Sequence, residues 1–526
     1  MKKIVSILLV LSMVSVLFAG CMQTEDTSSN GDDAAVNDVS SDEGGSEEVD
    51  EEPAEIVVTL MTLAPLDTSQ SDAVEAAINE MTLEKINTKV DLIWYDAANY
   101  GTQVPMMIQA NEKLDLMMFT PIPSASFASF KNQNQLLDIG DYLKEYAPIV
   151  VSELGTLVDA TSTPEGILGI TNQGPLANNV TITMRKDILE ELGLVEKAEN
   201  MTTWSEYEEI LTVVTANTDL SGIINADAEG TVISPVPFMT GEEEFSNNFG
   251  YDQLGDSYYL VYADQETDTV MPYYSSDEFY NMISRAKDWY DKGLIYKDAA
   301  IAKDYATTLL KNEVGFSQVN AIEAGAQSGI ESTVGKDLLF KAVAPSMLQT
   351  SSANKWGFSV PVTATEPEAA VKFLNLLHTD KEVINTLTWG IEGVDWVQND
   401  EGLATYPEGV TNETVTYHIA DFLYGNRFLI TPWQGESVHI RDEQRRVNDE
   451  ANVSKYMGFS VDTSNITTEL TACFNVKEQY KANLVSGSVQ DLDATYSEFV
   501  EKLNAAGYQA IIDEYQRQLD EWLAQW

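Results

Sequence analysis

Ile56-Val-Val-Thr-Leu-Met-Thr-Leu63 is a continuous apolar run of strand length that ends in a turn at Pro65. Downstream the pattern changes period. Ser69 to Ile86 reads as a helix, Val90 to Tyr95 as a strand, about Asn99 to Asn111 as a second helix, and Leu114 to Phe119 as a third strand. Strands that alternate with helices at these intervals predict an α/β fold, a parallel sheet covered by helices on both faces. In such a sheet ligands meet the loops at the carboxyl ends of the strands. The candidate loops are therefore Thr62 to Pro65, Trp94 to Tyr100 and Thr120 to Ser124. Further along, Val180 to Met184 predicts a strand leading into a helix, Lys186 to Leu192, closed by Gly193. Thr203 and Glu206 have the spacing of a capping box for the next helix. Helices are also predicted over Glu278 to Lys292, stopped by Gly293, over Pro367 to Leu377, and over the long, acidic, amphipathic end from Ser497 to Trp526.

Upstream of Ile56 the sequence has a different character. Lys2 and Lys3, an apolar run from Ile4 to Phe18, and small Ala19 and Gly20 before Cys21 form the three parts of an export signal. The run is too short to span a hydrocarbon core of about 30 Å as a helix. A cysteine at the cleavage point predicts a lipoprotein, because its thiol accepts a diacylglycerol and its freed amine can then be acylated. Phe18 stands where a lipobox usually carries leucine, with Leu17 one place earlier. From Met22 to Glu55 every charged residue is Asp or Glu, interleaved with Ser, Gly, Asn and Ala. Such a segment buries too little apolar surface to offset its ordering entropy, so residues 21–55 are expected to be a disordered tether. As a coil it would hold the body some 30 Å or more from the membrane.

The 526 residues include 30 basic and 84 acidic side chains, and loss of Lys2 and Lys3 with the signal makes the mature chain more negative still. Nucleic acid and anionic lipid headgroups are poor partners for such a surface. Cys21 is consumed by the lipid, so Cys473, flanked by Leu470, Phe474 and Val476, has no disulfide partner and reads as a small core residue. An anchored chain without disulfides is expected at the extracellular face of a Gram-positive cell membrane, with a periplasmic setting as the alternative.

Several blocks in order carry a family resemblance. They are Gly166-Ile-Leu-Gly-Ile170, MRKDILEELGL (Met184 to Leu194), TTWSEYEEIL (Thr202 to Leu211), RAKDWYDKGLIYKDAA (Arg285 to Ala300) and NEVGFSQ (Asn312 to Gln318). Together they resemble the sugar-binding type of extracellular solute-binding proteins of ABC importers, although one glycine of the family pattern is replaced near Asn312. The last third, with WGFSVPVTATEPEAAVKFLNLLHTDKEVINTLTWGIEGVDW (Trp356 to Trp396) and GNRFLITPWQGE (Gly425 to Glu436), is similar to a LipO-like Firmicutes lipoprotein subgroup with a C-terminal domain of unknown function. The resemblance implies a two-lobe periplasmic-binding-protein-like fold of type II, with a ligand cleft between lobes joined by a hinge crossed more than once. Residues 56–165 with about 315–375 are expected in one lobe, and 166–314 with about 376–526 in the other. It also implies a monomer without catalysis or cofactor that captures a carbohydrate, most naturally an oligosaccharide, for ABC permease subunits. Binding of a peptide or another polar solute, or presentation of ligand to a sensor, is the alternative.

Sugar rings stack their apolar CH faces on aromatic planes, while their hydroxyls need fixed donors and acceptors. Candidate ligand residues are therefore aromatics flanked by polar groups in loops. These are Trp94, Tyr95, Asp96 and Tyr100 at one strand end, Trp389 and Glu392, and Asn426, Arg427 and Trp433. Asp187 and Trp204 read as helix-start residues. His378, His418 and His439 lack metal-ligand spacing, and no nucleophile elbow or Walker loop occurs. A glycosidase needs only two carboxylates at a set separation, so among enzyme classes it is the natural alternative.

Overall fold

The computed structural model describes residues 52–64, 66–224, 243–245, 251–256, 258–302, 306–344 and 346–525. The expected signal peptide, the anchor at Cys21, residues 21–51 of the expected acidic tether and Pro65 lie outside the described residues, while the tether's last two residues, Ala54 and Glu55, belong to a strand because they pair with Thr88 and Lys89.

The run read at Ile56 is the strand Ala54–Thr62. It pairs in parallel with Thr88–Asp96 along its whole length and with Leu116–Phe119 on its other edge. Both faces of this strand are covered: Val58, Thr59 and Leu60 are fully buried. Helices Thr68–Ile86 and Ala97–Gln109 supply part of that cover through Val74, Ile78, Tyr100 and Val104. Each such aliphatic side chain removed from water contributes about 1.5–3 kcal/mol. The first helix starts where the Asp67 carboxylate accepts the Ser69 and Gln70 N–H groups, and stops where Asn87 turns left-handed at φ 48°. Two further strands complete this sheet in the order Thr88–Asp96, Ala54–Thr62, Leu116–Phe119, Gly357–Ser359, Ile170–Thr171. Gly357–Ser359 runs antiparallel to both neighbours, so the sheet is mixed rather than wholly parallel.

A second sheet has the order Leu338–Ala344, Asn178–Arg185, Gly315–Glu323, Ser221–Ile223. Its core includes Ile182, Met184, Phe316 and Val319, packed beneath helices Trp204–Asn217 and Asp277–Asp291. The capping box is present: the Thr203 hydroxyl accepts the Glu206 N–H, and the Glu206 carboxylate accepts the Thr203 N–H. Trp204 is buried with its ring against Phe245. Asp187 lies in the first turn of helix Lys186–Glu191, where it makes a two-point pair with Arg185 rather than serving as the cap. The C-terminal stretch is two helices, Leu492–Ala505 and Tyr508–Leu523, not one, because Gly507 takes φ 97° between them. They pack with helix Thr467–Ser486, whose Cys473 is fully buried, on the second core. None of the described helices is long and apolar enough to cross a membrane.

The two cores identify the lobes, and they apportion the chain differently from the sequence reading. Residues 315–375 divide: Gly315–Glu323 and Leu338–Ala344 pair with Asn178–Arg185 in the second sheet, while Gly357–Ser359 joins the first. Residues 376–526 divide as well. Leu377, Trp389, Tyr424 and Ile430 pack in the first core, whereas Tyr456 and the helices after it pack in the second. Hydrogen bonding between strands, not order along the chain, decides these memberships. The chain passes between the cores after Thr171, after Ala344 and again after helix Ile440–Glu450. These passages are tied together. Met347–Leu348 pairs with Asn452–Val453, and the Asn448 amide accepts the Leu176 and Ala177 N–H groups while donating to the Gly174 carbonyl at 2.6 Å.

Candidate functional site

A cavity of about 540 Å³ opens where the passages meet. Pro121, just after strand Leu116–Phe119, and Glu323, at the end of Gly315–Glu323, bring both sheets to its wall. The passage residues Asn172, Gln173, Ser351, Ser352, Lys355 and Trp356 supply most of the rest, with Phe422 and Arg427 closing it from the first lobe.

The apolar part is an aromatic corner. The rings of Trp356 and Phe422 lie 5.7 Å apart at 55°, and Phe422 is 39% exposed although large and apolar. Asn172 fixes this corner from behind: its N–H donates to the Trp356 carbonyl at 2.9 Å, and its Nδ2 donates to the Leu423 carbonyl at 2.7 Å. Gln173 adjoins it, with Nε2 donating to Glu153 and Oε1 against Nδ1 of fully buried His378. Burial pushes the His378 imidazole down to about 3, so it is neutral there.

The charged part is largely self-neutralised. Arg427 reaches Glu323 at 2.6 Å and Asp421 at 2.8 Å, and Asp421 also meets Arg441 at 2.7 Å. Gln444 donates to the same Glu323 oxygen at 3.1 Å. Burial works against the Arg427 charge, but the two carboxylates more than restore it and hold its pKa above the ordinary value. The Arg427–Glu323 pair also joins the two lobes among the residues that line the cavity.

Of the nine candidate ligand residues Arg427 is the one on this wall, and of the candidate loops Thr120 to Ser124 reaches it through Pro121. Tyr100 is fully buried, its hydroxyl accepting the Met118 N–H and donating to the Met118 carbonyl, so it is a core residue and not a ligand contact. Asn426 is likewise internal: its amide donates to the His378 carbonyl and accepts the Phe428 N–H. Asp96 is spent as the cap of helix Ala97–Gln109. Trp94 and Tyr95 are half-buried, edge-on to Tyr417 and Tyr100 respectively. Trp389 and Trp433 come together at 4.8 Å, but around His418 and Tyr406, and Trp389 is 3% exposed with Nε1 donating to the Thr431 carbonyl. Glu392 is exposed in the turn that follows Trp389. None of these eight lies among the lining residues of the cavity.

Asn172, Trp356 and Phe422 went unrecognised in the sequence. The available signal was Asn172-Gln-Gly-Pro175, a polar turn directly after a strand, together with two aromatics bordering motifs already noted. Among the described residues no cluster of histidine, cysteine or carboxylate side chains is arranged to hold a metal.

Residues 455–524, the C-terminal helices, match the family described as "Domain of unknown function (DUF3502)". A carbohydrate ABC transporter substrate-binding protein of Streptococcus pneumoniae serotype 4 is 23% identical over 464 residues, covering 86% of this chain and 88% of that protein. The crystal structure of the N-glycan transport solute binding protein (NgtS) from Streptococcus pneumoniae is similar at a TM-score of 0.70, with 19% identity over 90% of this chain and 99% of that one. The same protein in complex with Man1GlcNAc gives a TM-score of 0.59 at 19% identity, over 90% of this chain and 100% of that one. The chain thus has the two-lobe fold of solute-binding proteins.

Proposed function

We propose that this chain is the substrate-binding lipoprotein of an ABC importer and captures an extracellular oligosaccharide in the cavity between its lobes. The observation that carries the reading is the cavity wall: an aromatic corner, Trp356 with Phe422, beside amides and hydroxyls, at the point where the chain passes between lobes. Its volume of about 540 Å³ lies in the usual range for a small-molecule site. The N-glycan transport solute binding protein of Streptococcus pneumoniae, whose structure holds Man1GlcNAc, supports carbohydrate as the ligand class.

The mechanism is hinge closure. A solute touching both lobes at once stabilises the closed form by its differential affinity for that form. The lobes are residues 54–171 with 357–440, and 178–344 with 456–523. Asn172, Gln173, Lys355, Trp356, Phe422 and Arg427 form the binding wall, while the Trp389–Trp433 cluster packs the first lobe. No covalent step is required. Glycoside hydrolysis needs two carboxylates, and Glu323, the carboxylate among the described lining residues, is held by Arg427 and Gln444. Cys21 carries the lipid, residues 21–53 tether a monomeric body outside the membrane, and permease subunits receive the solute.

The test is titration of the purified chain with neutral oligosaccharides and with peptides, read by calorimetry and by analysis of reducing ends. Saturable binding of an oligosaccharide without new reducing ends is expected. Binding of peptides alone would overturn the carbohydrate assignment, and new reducing ends would overturn the assignment as a binder.

A further inference from the structure

The short helix and turn over residues 350–356 are held by their backbone at both ends, while side chains between those ends stay uncommitted. The Thr350 hydroxyl donates to the Tyr456 carbonyl and accepts the Gly458 N–H, both at 2.9 Å, which ties the turn to the second lobe. The Ala353 carbonyl accepts the Thr171 hydroxyl and the Trp356 carbonyl accepts the Asn172 N–H at 2.9 Å, which ties it to the first. Between these ties Ser351, Ser352 and Lys355 line the cavity next to Trp356. Ser351 and Lys355 are exposed and Ser352 is half-buried, so a solute in the cavity has access to them. None of the three side chains bonds to or pairs with another described residue. One fixed turn thus offers two hydroxyls and an ammonium on a flexible four-carbon stem, beside the aromatic corner.

The charges on the wall do not cancel. Among the described residues the cavity is lined by Glu323, Arg427 and Lys355, one anion and two cations. Glu323 is engaged by Arg427 at 2.6 Å and by Gln444, and Arg427 is further held by Asp421. Lys355 is the lining charge without a counter-charge. An uncommitted cation stands out in a chain with 84 acidic and 30 basic side chains, where carboxylates are abundant. The excess negative charge of the chain opposes an anion at long range, but physiological salt screens it beyond about 8 Å, so the nearby ammonium decides.

Resting on the oligosaccharide reading above, we infer that the cavity favours a glycan bearing an anionic substituent, a carboxylate or a sulfate or phosphate ester. Lys355 is the specificity-determining residue: it supplies the counter-charge, with the Ser351 and Ser352 hydroxyls as further donors, while a ring of the same glycan lies on Trp356 and Phe422. Charge-assisted hydrogen bonds of this kind are about twice as strong as neutral ones.

The test is calorimetry of the purified chain with matched pairs: sialyllactose and its methyl ester, and 6-sulfated and 6-phosphorylated oligosaccharides with their unmodified parents. The acidic member of at least one pair should bind about tenfold more tightly, and which pair does so identifies the substituent. Lys355→Met should bring that member to the affinity of its neutral counterpart and leave the counterpart within about twofold of wild type, whereas Lys355→Arg should keep the preference. The preference should also shrink as salt is raised. Two results overturn the inference while leaving the oligosaccharide reading intact: neutral members that bind as tightly as acidic ones in every pair, or a preference that Lys355→Met leaves in place. Wild-type protein that binds none of these glycans overturns both. If Lys355→Met does not fold, the matched pairs and the salt dependence on the wild type decide alone.

Discussion

Replacing Arg427 by methionine removes a cation from a network that holds two carboxylates. Asp421 is 12% exposed at its side chain and loses a partner at 2.8 Å, but keeps Arg441 at 2.7 Å. Glu323 loses a partner at 2.6 Å, but its side chain is 39% exposed and keeps the Gln444 donor. Removing one member of a fully buried pair costs about 3–5 kcal/mol. Retained partners and access to water place this case lower, at about 2–3 kcal/mol. With a urea dependence near 3 kcal/mol per molar, the unfolding midpoint should fall by roughly 1 M. The assay is urea unfolding followed by tryptophan fluorescence, with oligosaccharide titration of the folded variant alongside. Because the guanidinium is already engaged by Glu323 and Asp421, affinity should fall by less than tenfold. A midpoint within about 0.2 M of wild type together with a hundredfold loss of affinity would refute the reasoning and make Arg427 a ligand contact.

Tyr100→Phe leaves the Met118 N–H and carbonyl without their shared partner, so it should destabilise the chain by about 1–3 kcal/mol in the same assay with oligosaccharide affinity unchanged. For His378, burial holds the pKa far below its ordinary 6.5, at about 3. The neutral ring's contribution is thus intact above pH 6.5 and is lost as the pH falls from there toward 3, since the unfolded chain takes up the proton first. His378→Gln should flatten the pH dependence of stability across that window by up to about 1.4 kcal/mol per unit, and an unchanged slope would count against the assignment. Cys473 is fully buried and its thiol is pushed up to about 11. With Cys21 replaced by serine, the native chain should therefore resist a thiol reagent at pH 8 and react on unfolding.

The alternating elements up to Phe119 were legible because each carries its own period and its own stop, such as Asn87 after the first helix. Pairing was not. Gly315–Glu323 and Leu338–Ala344 follow a second-lobe segment and precede a first-lobe strand, and only the hydrogen bonds to Asn178–Arg185 reveal where they belong. Ile170–Thr171 and Met347–Leu348 are two residues long, and contacts far away in sequence make them strands. The break at Gly507 was hidden because the amphipathic pattern resumes in phase on its far side.

The site was less legible than the fold for a related reason. Aromatic side chains beside polar groups occur at Trp94, Trp389 and Trp433 as readily as at Trp356. What separates them is whether backbone carbonyls consume their polar neighbours, as Met118 does with Tyr100 and as His378 does with Asn426. Trp356 and Phe422 are 66 positions apart in the sequence and meet where Asn172 bonds the carbonyls of Trp356 and Leu423.

A crystal structure of the chain with a bound neutral oligosaccharide tests the central claim most directly. The account predicts a sugar ring against Trp356 and Phe422 with both lobes in contact with the ligand. A glycan seated on the Trp389–Trp433 cluster, or one touching a single lobe, would contradict it.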